Sequence, residues 1–216
     1  MKIHKLVFSP IDVNTYIIAG NSGDCAIIDC ACFSKKECET LESFISANKL
    51  NPVALLNTHC HFDHIFGNKF VFEKYNLKTQ YHELEDSNHK SFLERVIRYG
   101  WKFDAQPEPM RYIADNEIIE FDSVRLIALH VPGHTLGSLA YYCEQEGCVF
   151  TGDALFAGSI GRTDFPGGNL DTLINSIQKR LFTLPVSTVV FPGHGPQSEI
   201  GKEIATNPWF RQFLNS

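Results

Sequence analysis

Short β-branched and aromatic runs open the chain. KLVF (5–8), VNTYIIA (13–19) and CAIID (25–29) are separated by SP and by GNSGD. Runs of this kind between turn residues predict strands. GNSGD is a turn sequence, so the second and third runs are expected to form a hairpin. The period then changes. In SKKECETLESFISANKL (34–50), Leu41, Phe44 and Ile45 recur at helical spacing. Ser34 followed by Glu37 has the spacing of a capping box. Pro52 follows this helix, and VALLN (53–57) predicts a buried strand. A helix from Gly67 to about Tyr75 and a strand at KTQY (78–81) come next.

HELEDSNHKSFLERVIRYGW (82–101) predicts a mostly helical stretch with Phe92, Val96 and Tyr99 on one face. FDAQPEPM (103–110) is broken by prolines and predicts a surface loop, which makes residues 82–110 a candidate lid. Strands are expected again at 116–121, 124–131, 138–143 and 148–152. A glycine-rich loop (158–168) leads to a helix (169–184), a strand (187–191) and a short helix (198–205). Early strands, inserted helices and late strands predict a mixed sheet layered with helices. With no repeat, low-complexity segment or linker, residues 1–216 are expected to form a single domain.

Composition narrows the classes. Hydrophobic residues make up 44% and charged residues 20%, an ordinary globular mixture. A net charge of −6 without a basic run argues against a nucleic-acid partner. MKIHKLVFSP lacks an apolar signal region, and no stretch has the roughly 18 apolar residues of a membrane span. The expectation is a cytoplasmic protein with no membrane partner. Seven irregularly spaced cysteines are then expected to be reduced thiols, without the paired spacing of a structural zinc site. Cys143 and Cys148 flank the turn EQEG and are expected to face each other across a hairpin.

The chemistry concentrates after the strand VALLN, where NTHCHFDHIFGN places His59, His61, Asp63 and His64 within six residues. Imidazole nitrogen and carboxylate oxygen are the donors that zinc and similar ions favour. Two histidines one residue apart can aim at a common point, and Asp63 and His64 sit about a turn further on. That arrangement suits two adjacent metals better than one. Three more donors follow strands: His134 in HVPGHTLGS, Asp153 in FTGDALF and His194 in VVFPGHG. Four strand-end donor sites in one chain are hard to assign to chance.

In that order, THCHFDH, GHT, GD and PGHG resemble the metallo-β-lactamase-fold hydrolase superfamily. SIGRTDFPGG and GPQSEIGKEIATNPWF resemble its compact glyoxalase II-like (hydroxyacylglutathione hydrolase-like) branch. The resemblance implies an α+β fold, a four-layer αβ/βα sandwich of two mixed sheets flanked by helices. It implies that His59, His61 and His134 hold one metal and Asp63, His64 and His194 a second, with Asp153 bridging. Zinc is the expected ion, two per chain, with iron or manganese as substitutes.

Such a centre implies hydrolysis of a thioester such as S-lactoylglutathione by a hydroxide held between the ions, with Asp63 or Asp153 orienting it. A thiolate leaves without a dedicated general acid, and no G-x-S-x-G nucleophile motif is present. The chain ends soon after His194, short of the helical region that helps full-length glyoxalase II proteins hold glutathione, so a smaller or broader thioester is expected. A mononuclear iron persulfide dioxygenase on the same fold, using His59, His134 and Asp153, is the alternative reading. A phosphodiesterase or nuclease ranks below it. Asp29, Thr58 and Thr135 are expected to support the ligands, and Arg162 to pair with Asp164 and brace the glycine-rich loop. Cys60, between two ligands, is expected to point away and pack. His4, His82, His89 and His130 lack partners in the motif set.

Overall fold

The computed structural model describes the backbone of residues 1–213 and the side chains of residues 1–210. The chain divides into two compact units, residues 1–113 with 120–124, and residues 114–119 with 125 onward. In the first, β1 (Lys2–Phe8), β2 (Val13–Ala19) and β3 (Asp24–Ile28) form an antiparallel meander. The expected GNSGD hairpin is the connection between β2 and β3. β4 (Asn51–Leu56), β5 (Thr79–Tyr81) and β6 (Arg111–Tyr112) extend the sheet in parallel, giving the order β1-β2-β3-β4-β5-β6.

Parallel pairing requires crossovers, and helices supply them. α1 (Lys35–Ala47) begins at the expected capping box, where the Ser34 hydroxyl accepts from the Glu37 N–H and the Glu37 carboxylate accepts from the Ser34 N–H. α2 is Asn68–Tyr75. Leu41, Ile45 and Val71 from these helices pack on Ile17, Ile27 and Leu55 of the sheet, all at most 3% exposed. Most of that core is alternating strand positions meeting a helix stripe, the pattern legible in the sequence.

The stretch 82–101 is not one helix. It is a 3-10 turn (Glu83–Glu85), α3 (Asp86–Lys90) and α4 (Phe92–Arg98). The break falls at Ser91, whose hydroxyl donates to the Asn88 carbonyl at 3.0 Å. Glu85, in the turn before α3, is fully buried, and so are Phe92 and Val96 in α4. The proline-broken stretch after it is not wholly a surface loop. Phe103 stacks on Phe66, with ring centroids 4.9 Å apart and an interplanar angle of 18°. It joins Phe33 and Trp101 against the buried cluster of Tyr81, Phe92 and Val96.

Another six-stranded sheet lies mainly in the second unit. Its strands are β7 (Ile118–Phe121), β8 (Val124–His130), β9 (Leu139–Cys143), β10 (Cys148–Gly152), β13 (Val189–Pro192) and β14 (Ser198–Glu199). They run in the order β14-β13-β10-β9-β8-β7. Only β10–β13 pairs in parallel among the registered neighbours, which makes this sheet mixed as well. β11 (Leu155–Phe156) and β12 (Ser159–Ile160) form a small hairpin, so the glycine-rich loop is ordered where it begins. α5 (Leu170–Ser176) is capped by Asn169 and continues as a π-helical turn, Ile177–Leu181; α6 is Ile200–Thr206. Leu173, Ile177, Leu181 and Ile200 cover Val149 and Val190 of the sheet. Cys143 and Cys148 are register partners, as expected, and both are free thiols. Among the described residues, no helix is long and apolar enough to cross a membrane.

Candidate metal centre

In the first unit, the donors gather around Asp29. This residue follows β3 with φ of 52°, a left-handed conformation that aspartate tolerates better than most residues. Its N–H donates to the Leu56 carbonyl at 3.0 Å, and its carbonyl accepts from the Thr15 hydroxyl at 2.7 Å. The carboxylate, 2% exposed, is thereby aimed at the end of β4. Oδ1 accepts from the Thr58 N–H at 2.8 Å. Oδ2 accepts from the Thr58 hydroxyl at 2.7 Å and from His64 Nδ1 at 2.9 Å.

Those bonds settle two imidazole tautomers. An ionised carboxylate only accepts, so His64 Nδ1 carries the proton and Nε2 the lone pair. Thr58 spends its hydroxyl proton on Asp29, so its oxygen accepts from His59 Nδ1, 3.1 Å away. His59 Nε2 is then unprotonated too. The ring centroids of His59 lie 4.8 Å from His61 and 4.1 Å from His64. A 3-10 turn, Phe62–Ile65, carries Asp63 and His64, and places Asp63 Oδ2 3.7 Å from His64 Nε2.

The second unit builds a matching group. His134 Nδ1 lies 2.7 Å from the Arg162 carbonyl, which can only accept, so His134 also presents an unprotonated Nε2. Asp153 Oδ2 stands 3.7 Å from that Nε2 and 3.6 Å from His194 Nε2. Gly161 makes the approach possible. A Cβ there would lie 1.8 Å from the Asp153 carbonyl oxygen and 3.0 Å from His134 Nδ1.

These separations test whether the residues fit a metal. At 3.6–3.7 Å, the nitrogen–oxygen pairs are too long for hydrogen bonds. Two ligands about 2.1 Å from one ion in a tetrahedron stand about 3.4 Å apart. Asp63–His64, His134–Asp153 and His194–Asp153 all have that spacing. The donor set, imidazole with carboxylate, fits zinc and also iron.

The structure thus brings His59, His61, Asp63, His64, Thr58 and Asp29 together in one unit, and His134, Asp153 and His194 in the other. Arg162 and Asp164 pair side-on, with both guanidinium–carboxylate bonds at 2.6 Å. This pairing draws the Asp164 carboxyl down to about 2. Arg162 also lies 3.9 Å over the Phe165 ring, so its backbone carbonyl sits in a braced segment. The Thr135 hydroxyl lies 2.6 Å from the Ser138 hydroxyl, in the turn that follows His134.

Cys60 packs in the Tyr81–Phe92 cluster, and burial raises its thiol well above the ordinary value. The histidines outside the motifs have other work. His4 packs against Phe44, His82 accepts from the Leu84 N–H, His89 lies against Tyr81, and His130 bonds to the Leu136 carbonyl.

Two supporting residues escape sequence reasoning. Glu85, fully buried, accepts from the Cys60 N–H at 2.8 Å and from the Asn88 side chain at 2.9 Å, anchoring the peptide between His59 and His61. Asn57 donates to the His64 carbonyl at 3.0 Å and accepts from Asn68 at 2.7 Å. Glu85 looks like any acid on a helix face. Asn57 carries one signal, its place at the strand end directly before the histidines.

Comparison with known proteins gives the family of the chain. The model of the family described as "Metallo-beta-lactamase superfamily" matches residues 9–194, which run through both units. The hydroxyacylglutathione hydrolase GloC of Haemophilus influenzae is 34% identical over 223 residues, covering 100% of this chain and 99% of that protein. The crystal structure of BLEG-1 B3 metallo-beta-lactamase aligns with a TM-score of 0.87 and 28% identity, covering 97% of this chain and 100% of that one. TTHA1623, solved in a di-iron-bound form, aligns with a TM-score of 0.85 and 31% identity over 95% of this chain and 99% of its own. On its family match and this near-complete coverage, the chain belongs to the metallo-beta-lactamase superfamily and has its fold.

Proposed function

We propose that this protein is a dinuclear metallo-hydrolase that cleaves a thioester of the S-lactoylglutathione type. The observation that carries the reading is Asp153 Oδ2, set at metal-ligand spacing from both His134 and His194. One carboxylate oxygen between two imidazoles suits a bridging ligand. In this reading, residues 1–216 act as one domain, and the two donor groups serve the same pair of ions. His59, His61 and His134 hold one, Asp63, His64 and His194 the other, and Asp153 both. The kinship with a hydroxyacylglutathione hydrolase supports the thioester.

Bound divalent ions would supply Lewis acidity towards the carbonyl and bring the pKa of a water to about 7 in the case of zinc. The residues of the chain do the rest. Asp29, Thr58 and the Arg162 carbonyl hold the protons of His64, His59 and His134 on Nδ1, which keeps each Nε2 in its ligating form. The carboxylates of Asp63 and Asp153 accept a hydrogen bond from the attacking water and fix its approach. A thiol leaving group, with a pKa of about 8.5, departs as thiolate at neutral pH without a donor from the protein.

Elemental analysis of the native protein tests the metal count. Two metals per chain accompany this reading. One iron per chain, with oxygen consumed on adding glutathione persulfide, would replace it by the dioxygenase reading. The di-iron form of TTHA1623 leaves iron as a candidate ion for a two-metal hydrolase.

A further inference from the structure

The β11–β12 hairpin meets all three candidate donors of the second unit. Asp153 stands at one root, two residues before Leu155. Just past the other root, the Arg162 carbonyl lies 2.7 Å from His134 Nδ1. Between them, the Phe156 ring meets the His194 imidazole edge-on, with centroids 6.2 Å apart and an interplanar angle of 73°. The hairpin is short, pairing only Leu155 with Ile160 and Phe156 with Ser159. A two-stranded hairpin is at best marginally stable by itself, so its tip needs an anchor.

The stretch SEIGKEIATN (198–207) supplies one. Gly158, at the tip with φ of 72°, donates its N–H to Glu203 Oε2 at 2.8 Å. The Ser159 carbonyl beside it accepts from the Asn207 side chain at 3.1 Å. Asn207 also donates to Glu203 Oε2 at 2.8 Å, and the Ser198 hydroxyl donates to Oε1. Glu203 and Asn207 are both fully buried. Glu203 lies on α6, and Phe210 beyond it packs on Phe182 with ring centroids 4.6 Å apart, so the anchor is itself fixed to the core. A carboxylate buried among neutral donors costs more than an apolar side chain in the same place. Packing therefore does not account for Glu203, whereas the bond to the hairpin tip does.

We propose that Glu203 is a positioning residue for the metal centre. Through Gly158, and with Asn207 on Ser159, it fixes the hairpin that sets Asp153, His134 and His194. It acts through the hairpin, not by ligation. The inference rests on reading those three residues as metal donors and does not depend on the thioester. Gly161 packs directly on the Asp153 carbonyl, so the two ends of the hairpin move together. A tip released from Glu203 lets the Arg162 carbonyl drift from His134 Nδ1, and the ring loses the partner that aims it.

The test is Zn²⁺ binding by the full chain, titrated against a competing chelator, with the visible spectrum of the Co²⁺-loaded protein as a second readout. Wild type is expected to bind Zn²⁺. Glu203→Ala is expected to bind about tenfold or more weakly and to change the Co²⁺ d–d bands. Glu203→Gln is expected to restore both, because its amide oxygen can accept from Gly158 and Asn207 while its NH₂ donates to the Ser198 hydroxyl. Asn207→Ala cuts the second tie to the tip and is expected to weaken binding about threefold, the worth of one hydrogen bond. It carries the test if Glu203→Ala does not fold. Leu181→Ala opens a cavity in the same core, from a side chain that makes no hydrogen bond to the hairpin. It is expected to lower the unfolding midpoint and leave affinity and spectrum unchanged. Wild-type affinity and spectrum in folded Glu203→Ala or Asn207→Ala, no rescue by Glu203→Gln, or an equal loss in Leu181→Ala would each overturn the proposal alone. Wild type that binds no Zn²⁺ would overturn the metal reading with it.

Discussion

The carboxylate of Asp29 accepts the Nδ1 proton of His64 at 2.9 Å, with both side chains at most 2% exposed. Four donors converge on this carboxylate, the Thr58 N–H, the Thr58 hydroxyl, His64 and, at 3.4 Å, the Asn57 side-chain amide. Asp29→Asn keeps the shape but leaves one acceptor oxygen where there were two. Its amide nitrogen would face a donor. The expected result is a folded protein that retains metal about 10–100-fold more weakly, read by titration against a competing chelator. Unchanged affinity would remove Asp29 from the support of the site.

Gly161 is expected to be equally intolerant. In Gly161→Ala, the new methyl would overlap the Asp153 carbonyl and crowd His134 Nδ1. The segment must shift, breaking the bond to the Arg162 carbonyl that orients His134. A loss of about 2 kcal/mol or more in unfolding free energy is expected, with a lower metal content in the folded fraction.

Cys60 offers the opposite outcome. It lies between two histidines of the motif, yet its side chain packs with Ile65, Tyr81 and Phe92. Cys60→Ser buries a hydroxyl in an apolar cluster, at a cost of about 1–3 kcal/mol, while hydrolytic turnover persists. Complete loss of turnover in well-folded variant protein would mark the thiol as part of the chemistry.

Much of the fold was legible because it rests on local patterns. The β2–β3 hairpin follows from GNSGD and the start of α1 from Ser34 and Glu37. The cluster of candidate donors was legible because metals demand a few residue types, and these follow strands beside glycines in the sequence. The burial of Glu85 and the inward turn of Phe103 were not. Both depend on side chains distant in sequence, Glu85 on Cys60 and Phe103 on Phe66, and no periodicity encodes such meetings. Asp29 was legible only as a strand-end acid; its left-handed backbone and four donors needed the fold.

His89 sets a pH dependence in that same region. Burial holds its imidazole below the ordinary value, while the unfolded chain titrates near about 6.5. The unfolded state therefore binds the proton more readily, and stability falls as pH drops below about 6.5 towards the folded value. Denaturation midpoints between about pH 7 and 5 should fall more steeply in the wild type than in His89→Gln. Parallel curves would show that His89 does not contribute.

The central claim meets its most direct test in thiol release from S-lactoylglutathione, measured on wild type and Asp63→Ala after metal loading. The account predicts steady release by the wild type, abolished by chelation, and a loss of at least about 100-fold in Asp63→Ala, matching removal of a transition-state contact of about 2.7 kcal/mol. No thiol release by fully loaded wild type, or an Asp63→Ala variant as active as the parent, would contradict it.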